Sequence, residues 1–324
     1  MNRLLYIVLI STLSVGATFT VNAQSAYPTK PIRLIVPYPT SGGNDILGRV
    51  IAENLSERLG QQCVVDNRGG ASTAIGAEIA ARAPADGYTI LLATVTTLAV
   101  NPNLISKLSY DIDRDFHPLT MLASQPYLLV AHPSLKLKTM EDLIALAKSK
   151  PGALNFASPG LGSNGHLAGE LLKSMAGISM VHVGYKGTGP AITDLIGGHV
   201  SILFGTLPSV QAHVKAGRLS GIAVSTSKRS PAMPAIPTIS ESGVPGYSMR
   251  SWNGLMVPRG TSPQIIGKIS TTVNNILTSA EVTQRLIGVG FDPDPSTPQE
   301  FSDFIRQERA LYAKIVKAAG LTKN

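Results

Sequence analysis

Four glycine-rich turns carry the residues of this 324-residue chain that are best suited to binding chemistry. Each turn separates an apolar, β-branched run from a helical pattern, and the turns read TSGGND at 40–45, NRGGASTA at 67–74, GLGSNG at 160–165 and YKGTGP at 185–190. A turn of this kind presents unpaired backbone N–H groups at the positive end of a helix dipole. Because two turns fall in each half of the chain, the sequence predicts a small anion held between two lobes.

The turn at 160–165 also matches the G-x-G-x-x-G spelling of dinucleotide-binding sites. Such a site needs an acidic residue about 20 positions further on, after the next strand, to hold the ribose. That region reads MVHVGYK at 180–186 and contains no carboxylate. The turn is therefore better interpreted as a cradle for a carboxylate than as a nucleotide site.

The segment from Ser225 to Lys228 matches S-x-x-K, the nucleophile motif of penicillin-binding enzymes. Those enzymes also need a K-T-G motif downstream and an S-D-N motif between, and the chain has neither. The six histidines lack metal-ligand spacing, and no paired carboxylates stand out for acid–base work. We therefore expect no enzyme activity, no metal and no cofactor, with a secreted serine acyl-transfer enzyme as a remote alternative.

Composition limits the class of partner. The net charge is +8, but the basic residues are scattered and aromatic residues make up only 5% of the chain. A nucleic-acid reader would cluster its basic residues on one face and interleave aromatics, so we expect no nucleic-acid partner. A mildly cationic surface suits anionic metabolites or a membrane partner. Cys63 is the single cysteine, which excludes a disulfide scaffold and favours a small buried hydrophobe.

The first 23 residues have the features of a cleaved signal peptide. Arg3 precedes an apolar stretch without acidic residues, and Val21-Asn22-Ala23 fits the small-x-small cleavage pattern. An uncleaved membrane anchor is the alternative, because the stretch approaches the length of a spanning helix. We expect an exported protein whose mature chain is long enough for two domains.

Short apolar runs alternate with helical patterns, which is typical of parallel sheets flanked by helices. In the first series the predicted strands are 32–36, 63–65 and 90–93, and the helices are 46–59 and 74–82. In the second series the strands are 154–157, 180–183, 200–204 and 219–224, and the helices are 140–149, 166–175, 190–196 and 208–216. An apolar segment at 119–131, broken at Gln125-Pro126, joins the two series. Strand 252–257 and helices 263–279 and 298–319 follow a proline-rich connector.

This order of elements predicts a hinged molecule. The chain builds one lobe, crosses to a second near residue 125 and returns near residue 226. Two connecting strands of this kind form a hinge. The ligand then lies between the carboxyl ends of the two sheets, where the glycine turns are placed.

An ordered set of short motifs along the chain resembles a known family. The motifs are VPY at 36–38, GGND at 42–45, NR at 67–68, IGA at 75–77, DGY at 86–88, NP at 101–102, HLAGE at 166–170, YKG at 185–187, PA at 190–191, DLIGG at 194–198, PT at 237–238, ESG at 241–243 and SW at 251–252. They strongly resemble the Bug family, the extracytoplasmic solute receptors of tripartite tricarboxylate transporters. The resemblance covers essentially the whole mature chain.

The resemblance implies an α/β chain with the type II periplasmic-binding-protein fold, in which two lobes joined by a two-strand hinge close on a ligand. The expected parts are a signal peptide at 1–23, lobe I at 24–124 and 226–324, and lobe II at 125–225. The implied function is capture of a small carboxylate (a di- or tricarboxylate, an amino acid or an aromatic acid) in the periplasm. The receptor, expected to be a monomer, would deliver it to membrane permease subunits. A ligand-sensing module for a membrane signalling receptor is the alternative.

The resemblance also assigns ligand-binding residues to the turns and to the strand ends beside them. In lobe I they are Tyr38, Gly42, Gly43, Asn44, Asp45, Ser72, Thr73, Ala74, Thr94 and Thr97, and in lobe II they are Ser158, Gly162, Ser163, Asn164, His166, Gly184, Tyr185, Lys186 and Gly205. N-capping or loop bracing is the more ordinary role for Asp45, and capping is the competing role for His166. Ser72, Gly184 and Gly205 stand where the family usually has glycine, proline and aspartate.

Overall fold

The first lobe is built on three parallel strands, and a computed structural model describes residues 27–318. Its elements are β1 (Ile32–Val36), α1 (Gly43–Leu59), β2 (Cys63–Asn67), α2 (Ala74–Ala81), β3 (Thr89–Thr94), α3 (Asn101–Leu104) and α4 (Ile112–Asp115), with a 3-10 turn at Ala71–Thr73 and a π-helical turn at Thr96–Val100. β1 pairs in parallel with both β2 and β3. The carboxyl ends of these strands therefore share one edge, from which the first two glycine turns lead into α1 and α2.

The second lobe repeats this arrangement. Its elements are α5 (Met140–Ser149), β5 (Asn155–Ser158), α6 (Asn164–Ala176), β6 (Val181–Gly184), α7 (Thr188–Ile196), β7 (Ile202–Thr206), α8 (Leu207–Lys215) and β8 (Ser220–Val224). β5 pairs in parallel with β6 and β7. α5 has the predicted bounds, because the Thr139 hydroxyl accepts from the Asp142 N–H and the Asp142 carboxylate accepts from the Thr139 N–H, a reciprocal cap.

Two long strands, β4 (Phe116–Ala131) and β9 (Arg250–Pro258), join the sheets. Residues 116–126 of β4 pair with β9, whereas residues 127–131 pair with β7 and β8. The expectation of parallel sheets holds for the flanking strands and is wrong for β4, β8 and β9, which pair antiparallel. The expected break at Gln125-Pro126 is also wrong. The strand continues through Pro126, and the proline, which has no N–H, lies where the ladder changes partners.

The last elements of the described residues are helices on the first lobe. They are α9 (Pro263–Leu277), α10 (Ala280–Gly288) and α11 (Pro298–Ala318), and the short strand β10 (Asp292–Pro293) pairs with β4. α9 and α11 correspond to predicted helices. The sequence did not predict α10, which only Thr278 and Ser279 separate from α9.

Three apolar clusters pack the sheets. One lies in the first lobe around Leu47 and Ile269, and one lies in the second lobe around Leu195 and Val210. The third contains Phe156, Trp252 and neighbouring residues of both lobes, so the lobes share a packed base beside the crossing strands. None of the helices within 27–318 combines the length and apolar character needed to cross a membrane. The predicted signal peptide lies outside the described residues.

Candidate ligand-binding cleft

Four segments line one cavity of about 210 Å³, and three of them belong to the glycine-rich turns at 67–74, 160–165 and 185–190. The lining consists of residues 37–39 and 70–73 from the first lobe and residues 159–161 and 185–187 from the second. Each segment follows the carboxyl end of a parallel strand, namely β1, β2, β5 and β6. The two sheets therefore bring segments that are distant in sequence to one cleft between the lobes.

A chain of hydroxyl groups supports the first-lobe wall of this cleft. The Tyr38 hydroxyl lies 3.1 Å from Thr94 Oγ1, and Thr94 Oγ1 lies 3.3 Å from Thr97 Oγ1. The Thr97 hydroxyl donates to Thr73 Oγ1 at 3.0 Å. Thr94 and Thr97 are buried, and only the end members Tyr38 and Thr73 line the cavity. Burial raises the pKa of Tyr38, so its hydroxyl stays protonated and can donate a hydrogen bond.

The turn after β2 has a strained backbone. Ala71, Ser72 and Thr73 have φ angles of 44°, 49° and 80°, which places three consecutive L-residues in the left-handed region. This conformation costs roughly 1–2 kcal/mol for each non-glycine residue. Asn101 stabilises the turn, since its Nδ2 donates to the Ser72 carbonyl at 2.8 Å. The Ser72 hydroxyl donates to the carbonyl oxygen of Leu161, on the other lobe, at 2.8 Å.

Two stacked histidines support the turn after β5. The rings of His166 and His182 lie 3.8 Å apart. His166 Nδ1 accepts from the Gly162 N–H at 3.1 Å, and His182 Nε2 lies 2.7 Å from Ser158 Oγ. Burial is the main cause that lowers the pKa of each ring to about 4, so both are neutral near pH 7, as an accepting Nδ1 requires. The turn is therefore braced by residues that lie behind the cavity lining and not in it, namely Ser158, Gly162, Ser163 and His166. Ser163 also caps α6.

The first glycine turn faces protein groups rather than the cavity. Gly42 precedes α1 and supplies no side-chain cap. The Gly43 N–H donates instead to Ser209 Oγ of the second lobe at 2.8 Å. Asn44 Oδ1 accepts from Asn253 Nδ2 at 2.6 Å. None of residues 40–45 belongs to the cavity lining.

Asp45 holds this turn in shape. Its carboxylate accepts hydrogen bonds from the Ser41 N–H, Arg49 Nε and Asn67 Nδ2, each at 3.0 Å. Burial alone would raise the pKa of Asp45, but these donors outweigh burial and lower it. The side chain is therefore a bracing carboxylate with its hydrogen-bonding capacity largely used.

Asn164 joins the lobes away from the cavity. It is fully buried at the start of α6. Its Nδ2 donates to the Arg250 carbonyl at 3.0 Å, and its Oδ1 accepts from the Tyr312 hydroxyl at 2.7 Å. These bonds connect the second lobe to β9 and α11.

Three further predicted residues also lie outside the cavity lining. Gly205 is within β7, where an added Cβ would come within 2.5 Å of Val210 Cγ1. Ala74 is buried at the start of α2. Gly184 ends β6 opposite Ser158.

Lys186 is the only charged residue in the lining of this cavity, and its side chain is exposed. Its neighbour Tyr185 donates its hydroxyl to Asp194 Oδ2 at 2.7 Å. Burial and then this hydrogen bond raise the pKa of Tyr185 to about 12. The lining thus combines one cation, hydroxyls and turn backbone with the apolar side chains of prolines and Leu161, a set that suits a small organic anion.

Ser225, the candidate nucleophile, is buried where β4 changes sheets. Its hydroxyl donates to the Met249 carbonyl at 2.6 Å and accepts from the Tyr127 N–H at 2.9 Å. The hydroxyl therefore donates to and accepts from backbone groups of the crossing segments. Lys228 is exposed. These contacts exclude the remote alternative of a serine enzyme that uses Ser225 and Lys228.

The sequence prediction missed part of the cavity lining. The missed residues are Pro37, Pro39, Gly70, Ala71, Pro159, Gly160, Leu161 and Gly187. All lie in or next to turns that the sequence did predict, so extending each site to the whole turn region would have found them. Ser209 and Asn253, which engage the first turn, carry no comparable signal in their own segments.

Two other cavities, of about 340 and 230 Å³, lie in the first lobe near α4 and α11. Neither has a lining residue from the second lobe. Within residues 27–318, no group of three His, Cys, Asp or Glu side chains is arranged to hold a metal ion. Of these three cavities, the cleft is the one whose lining comes from both lobes, and this makes it the candidate site.

Two α/β lobes, two crossing strands and a cavity between the lobes define the class of type II periplasmic solute-binding proteins. The profile of the tripartite tricarboxylate transporter family receptor, TctC, matches residues 47–321. The chain belongs to this family, whose members are solute-binding receptors and not enzymes.

Individual relatives cover nearly the whole chain. BugT of Bordetella pertussis is 38% identical over 321 residues, which is 99% of this chain and 98% of BugT. The structure of R. palustris Rpa4515 with adipate has a TM-score of 0.90 and 38% identity, and covers 92% of this chain and 100% of its own. MatC from Rhodopseudomonas palustris with bound malate has a TM-score of 0.84 and 28% identity, with coverage of 90% and 100%.

Proposed function

We propose that this chain is a periplasmic receptor that captures a small carboxylate and delivers it to the membrane subunits of a tripartite tricarboxylate transporter. The observation that carries the proposal is the cleft between the lobes, where Lys186 is the single charged residue of the lining and no acidic residue contributes. The positive charge of Lys186 attracts an anionic ligand and repels a cationic one. Adipate and malate, the molecules in the Rpa4515 and MatC structures, are both dicarboxylates, which supports the same class of ligand.

The proposed binding mode uses both lobes. Tyr38 and Thr73 supply hydroxyl groups from the first lobe, and Lys186 supplies the positive charge from the second. A cavity of about 210 Å³ suits a small metabolite, since pockets for drug-sized molecules occupy roughly 300–1,000 Å³. We place lobe II at residues 125–225 and the remainder of the mature chain in lobe I. Ligand contacts to both lobes would then favour the closed state.

Calorimetry on a panel of solutes tests the ligand class. The panel contains adipate, malate, succinate, citrate, aspartate and benzoate, with glucose and glycerol as neutral controls. The protein is first unfolded and refolded to remove any solute that co-purifies. We expect at least one carboxylate to bind and both neutral solutes to give no heat. Binding of a neutral sugar without binding of any carboxylate would overturn the proposal.

Transport and location need separate measurements. Mass spectrometry of the periplasmic fraction should find a mature chain beginning near Gln24. Uptake of the carboxylate identified by calorimetry should fall when either this receptor or the transporter's membrane subunits are deleted. Uptake that depends on the membrane subunits but not on this chain would contradict the delivery step. It would leave carboxylate binding itself untouched.

A further inference from the structure

One hydrogen bond crosses the candidate cleft between two residues that both line it. The Ser72 hydroxyl of the first lobe donates to the Leu161 carbonyl of the second at 2.8 Å. We propose that Ser72 is a clasp: its hydroxyl holds the lobes closed through Leu161, and it raises affinity by favouring closure rather than by touching the solute. The clasp would act whichever solute enters the cleft.

The donor is held in place by its own lobe. Ser72 lies between Ala71 and Thr73, and all three have left-handed φ angles. Asn101 fixes this turn with bonds from its Nδ2 to the Ser72 carbonyl at 2.8 Å and toward Thr73 Oγ1 at 3.3 Å. Asn101 is fully buried. A strained backbone that neighbouring groups hold is the kind of feature that persists at functional sites, and here it directs a hydroxyl across the cleft.

The acceptor is held in place as well. Leu161 lies between Gly160 and Gly162, whose φ angles of 152° and 71° suit glycine. The Gly162 N–H donates to His166 Nδ1 at 3.1 Å, which ties the turn to α6. The Leu161 side chain is 62% exposed. The atom of Leu161 that bonds the first lobe is its backbone carbonyl oxygen.

Close packing of the lobes beside the clasp brings the Ser72 hydroxyl within hydrogen-bonding distance of the Leu161 carbonyl. Pro39 of the first lobe lies against Gly187 of the second, where an added Cβ would come within 2.9 Å of Pro39 Cγ. Leu104 packs in the same way against Gly162, with 2.3 Å to an added Cβ. These contacts are apolar and tolerate small shifts. The Ser72 bond is directional, so it specifies one closed arrangement.

Distances between spin labels on the two lobes test the clasp. Nitroxides are attached at Arg82→Cys, directly after α2, and at Thr193→Cys in α7, both exposed positions, in a Cys63→Ser background. The protein is unfolded and refolded so that no solute is bound. We expect a closed population in the otherwise unaltered protein. Ser72→Ala and Ser72→Gly should both lower the closed-to-open ratio about fivefold, the effect of one net hydrogen bond.

Ser72→Gly separates the clasp from backbone strain. Glycine adopts the left-handed conformation without a steric cost, so this variant should melt about 2–4 °C above Ser72→Ala while closing equally poorly. Ser41→Gly is the matched control. Ser41 is also left-handed, with φ of 68°, and lies on an exposed turn outside the cavity lining. Its replacement should relieve strain and leave the closed-to-open ratio unchanged.

Three results would overturn the clasp. The first is a distance distribution that stays the same in Ser72→Ala and Ser72→Gly. The second is a doubly labelled protein with no closed population at all. The third is a Ser41→Gly variant that changes the ratio as much as the Ser72 variants do. The spin-label measurement uses protein without solute. If no carboxylate bound in calorimetry, the proposed function would be contradicted, but the clasp would still be tested by the measured distances.

Discussion

The N–H of Gly43 and the hydroxyl of Ser209 form a helix cap that spans the two lobes, with 2.8 Å between nitrogen and oxygen. α1 has no side-chain cap from its own lobe, because Gly42 precedes it. Ser209 Oγ also lies 2.8 Å from Thr206 Oγ1, and both residues are buried. The Gly43 N–H, at the first residue of α1, therefore has this partner only when α8 is in place. Lobe closure and the capping of α1 are coupled by this bond.

Replacing Ser209 should weaken both folding and closure. Ser209→Ala leaves the Gly43 N–H and the Thr206 hydroxyl without this partner in a buried interface, which costs about 1–3 kcal/mol. We expect a lower melting temperature and weaker carboxylate binding, measured by calorimetry on the same preparation. Ser149→Ala is the control, since that hydroxyl bonds only the Leu146 carbonyl at the end of its own helix. Unchanged stability and affinity in Ser209→Ala would show that the cap has no energetic role.

Lys186 should contribute to binding and not to folding. Its side chain is exposed and it is the single charged residue of the cavity lining. Lys186→Gln removes the charge but keeps a polar side chain, which is one bond shorter. A hydrogen bond to a charged group contributes about 1.5–3 kcal/mol, so carboxylate affinity should fall roughly 10-fold to 100-fold. The melting temperature without ligand should stay within about 1 °C.

The salt dependence gives a second test of the same residue. Affinity of the unaltered protein should fall between 50 mM and 500 mM NaCl, roughly several-fold, because added ions screen an exposed charge. The Lys186→Gln variant should lose most of that dependence. Lys148→Ala, on an exposed face of α5, should behave like the unaltered protein in both experiments. If Lys148→Ala lowers affinity as much, the effect is one of net charge rather than of the cleft.

The pair His166 and His182 should make the second lobe sensitive to acid. Burial lowers the pKa of both rings to about 4, whereas an unfolded histidine titrates near 6.5. Between these values the unfolded chain binds protons that the folded chain does not, so unfolding becomes easier as the pH falls. The stability from the neutral pair is complete above about pH 6.5 and is lost progressively toward about pH 4. Glu170 and Lys173 face the same pair from α6.

Urea unfolding at pH 7.5, 6 and 5 measures this dependence. We expect a loss on the order of 2–4 kcal/mol from the pair over the whole window, discounted because His182 is only half-buried. His182→Phe keeps an aromatic partner for His166 but removes one titrating ring, so it should reduce the slope to about half. His199→Asn changes an exposed histidine and should leave the slope unchanged. Equal slopes in all three proteins would exclude the pair as the cause.

The parallel parts of the fold could be predicted from sequence because their signals are local. The apolar run at Ile32–Val36 and the capped helix Met140–Ser149 have the predicted bounds. The antiparallel strand β4 could not be predicted in the same way. Its first part pairs with β9, more than 100 residues later, and its second part pairs with β7 and β8. Such long-range pairing leaves no periodic mark at Gln125-Pro126, where the local pattern indicates a break.

The positions of the glycine turns after strands could be predicted from the sequence, but the groups that each turn contacts could not. Tyr38, Ser72, Thr73, Tyr185 and Lys186 line the cleft, as placement on turns after parallel strands implies. The turn at 40–45 has the same local pattern, yet its Gly43 N–H bonds a residue of the other lobe. Whether a helix start faces a cavity or a neighbouring lobe depends on tertiary packing. A single segment carries no information about it.

Gly205 gives the sharpest test of how far a family pattern can be transferred. The family resemblance implies an aspartate at this position and therefore predicts a ligand-binding role for residue 205. In the structure it is the last but one residue of β7, buried beneath α8, with Val210 Cγ1 only 2.5 Å from an added Cβ. Gly205→Ala should therefore lower stability by about 1–3 kcal/mol through overpacking and leave carboxylate affinity unchanged.

The double variant Gly205→Ala with Val210→Ala separates packing from binding. Shortening Val210 removes the atom that the new methyl group would meet, so the two changes should be non-additive, and the double variant should be more stable than the sum of the single effects predicts. Val210→Ala alone should lose stability by leaving a small cavity. The two single variants and the double variant should all bind the same carboxylates as the unaltered protein in calorimetry. A changed order of preference among the carboxylates in Gly205→Ala, with stability unaffected, would instead place residue 205 in the binding site.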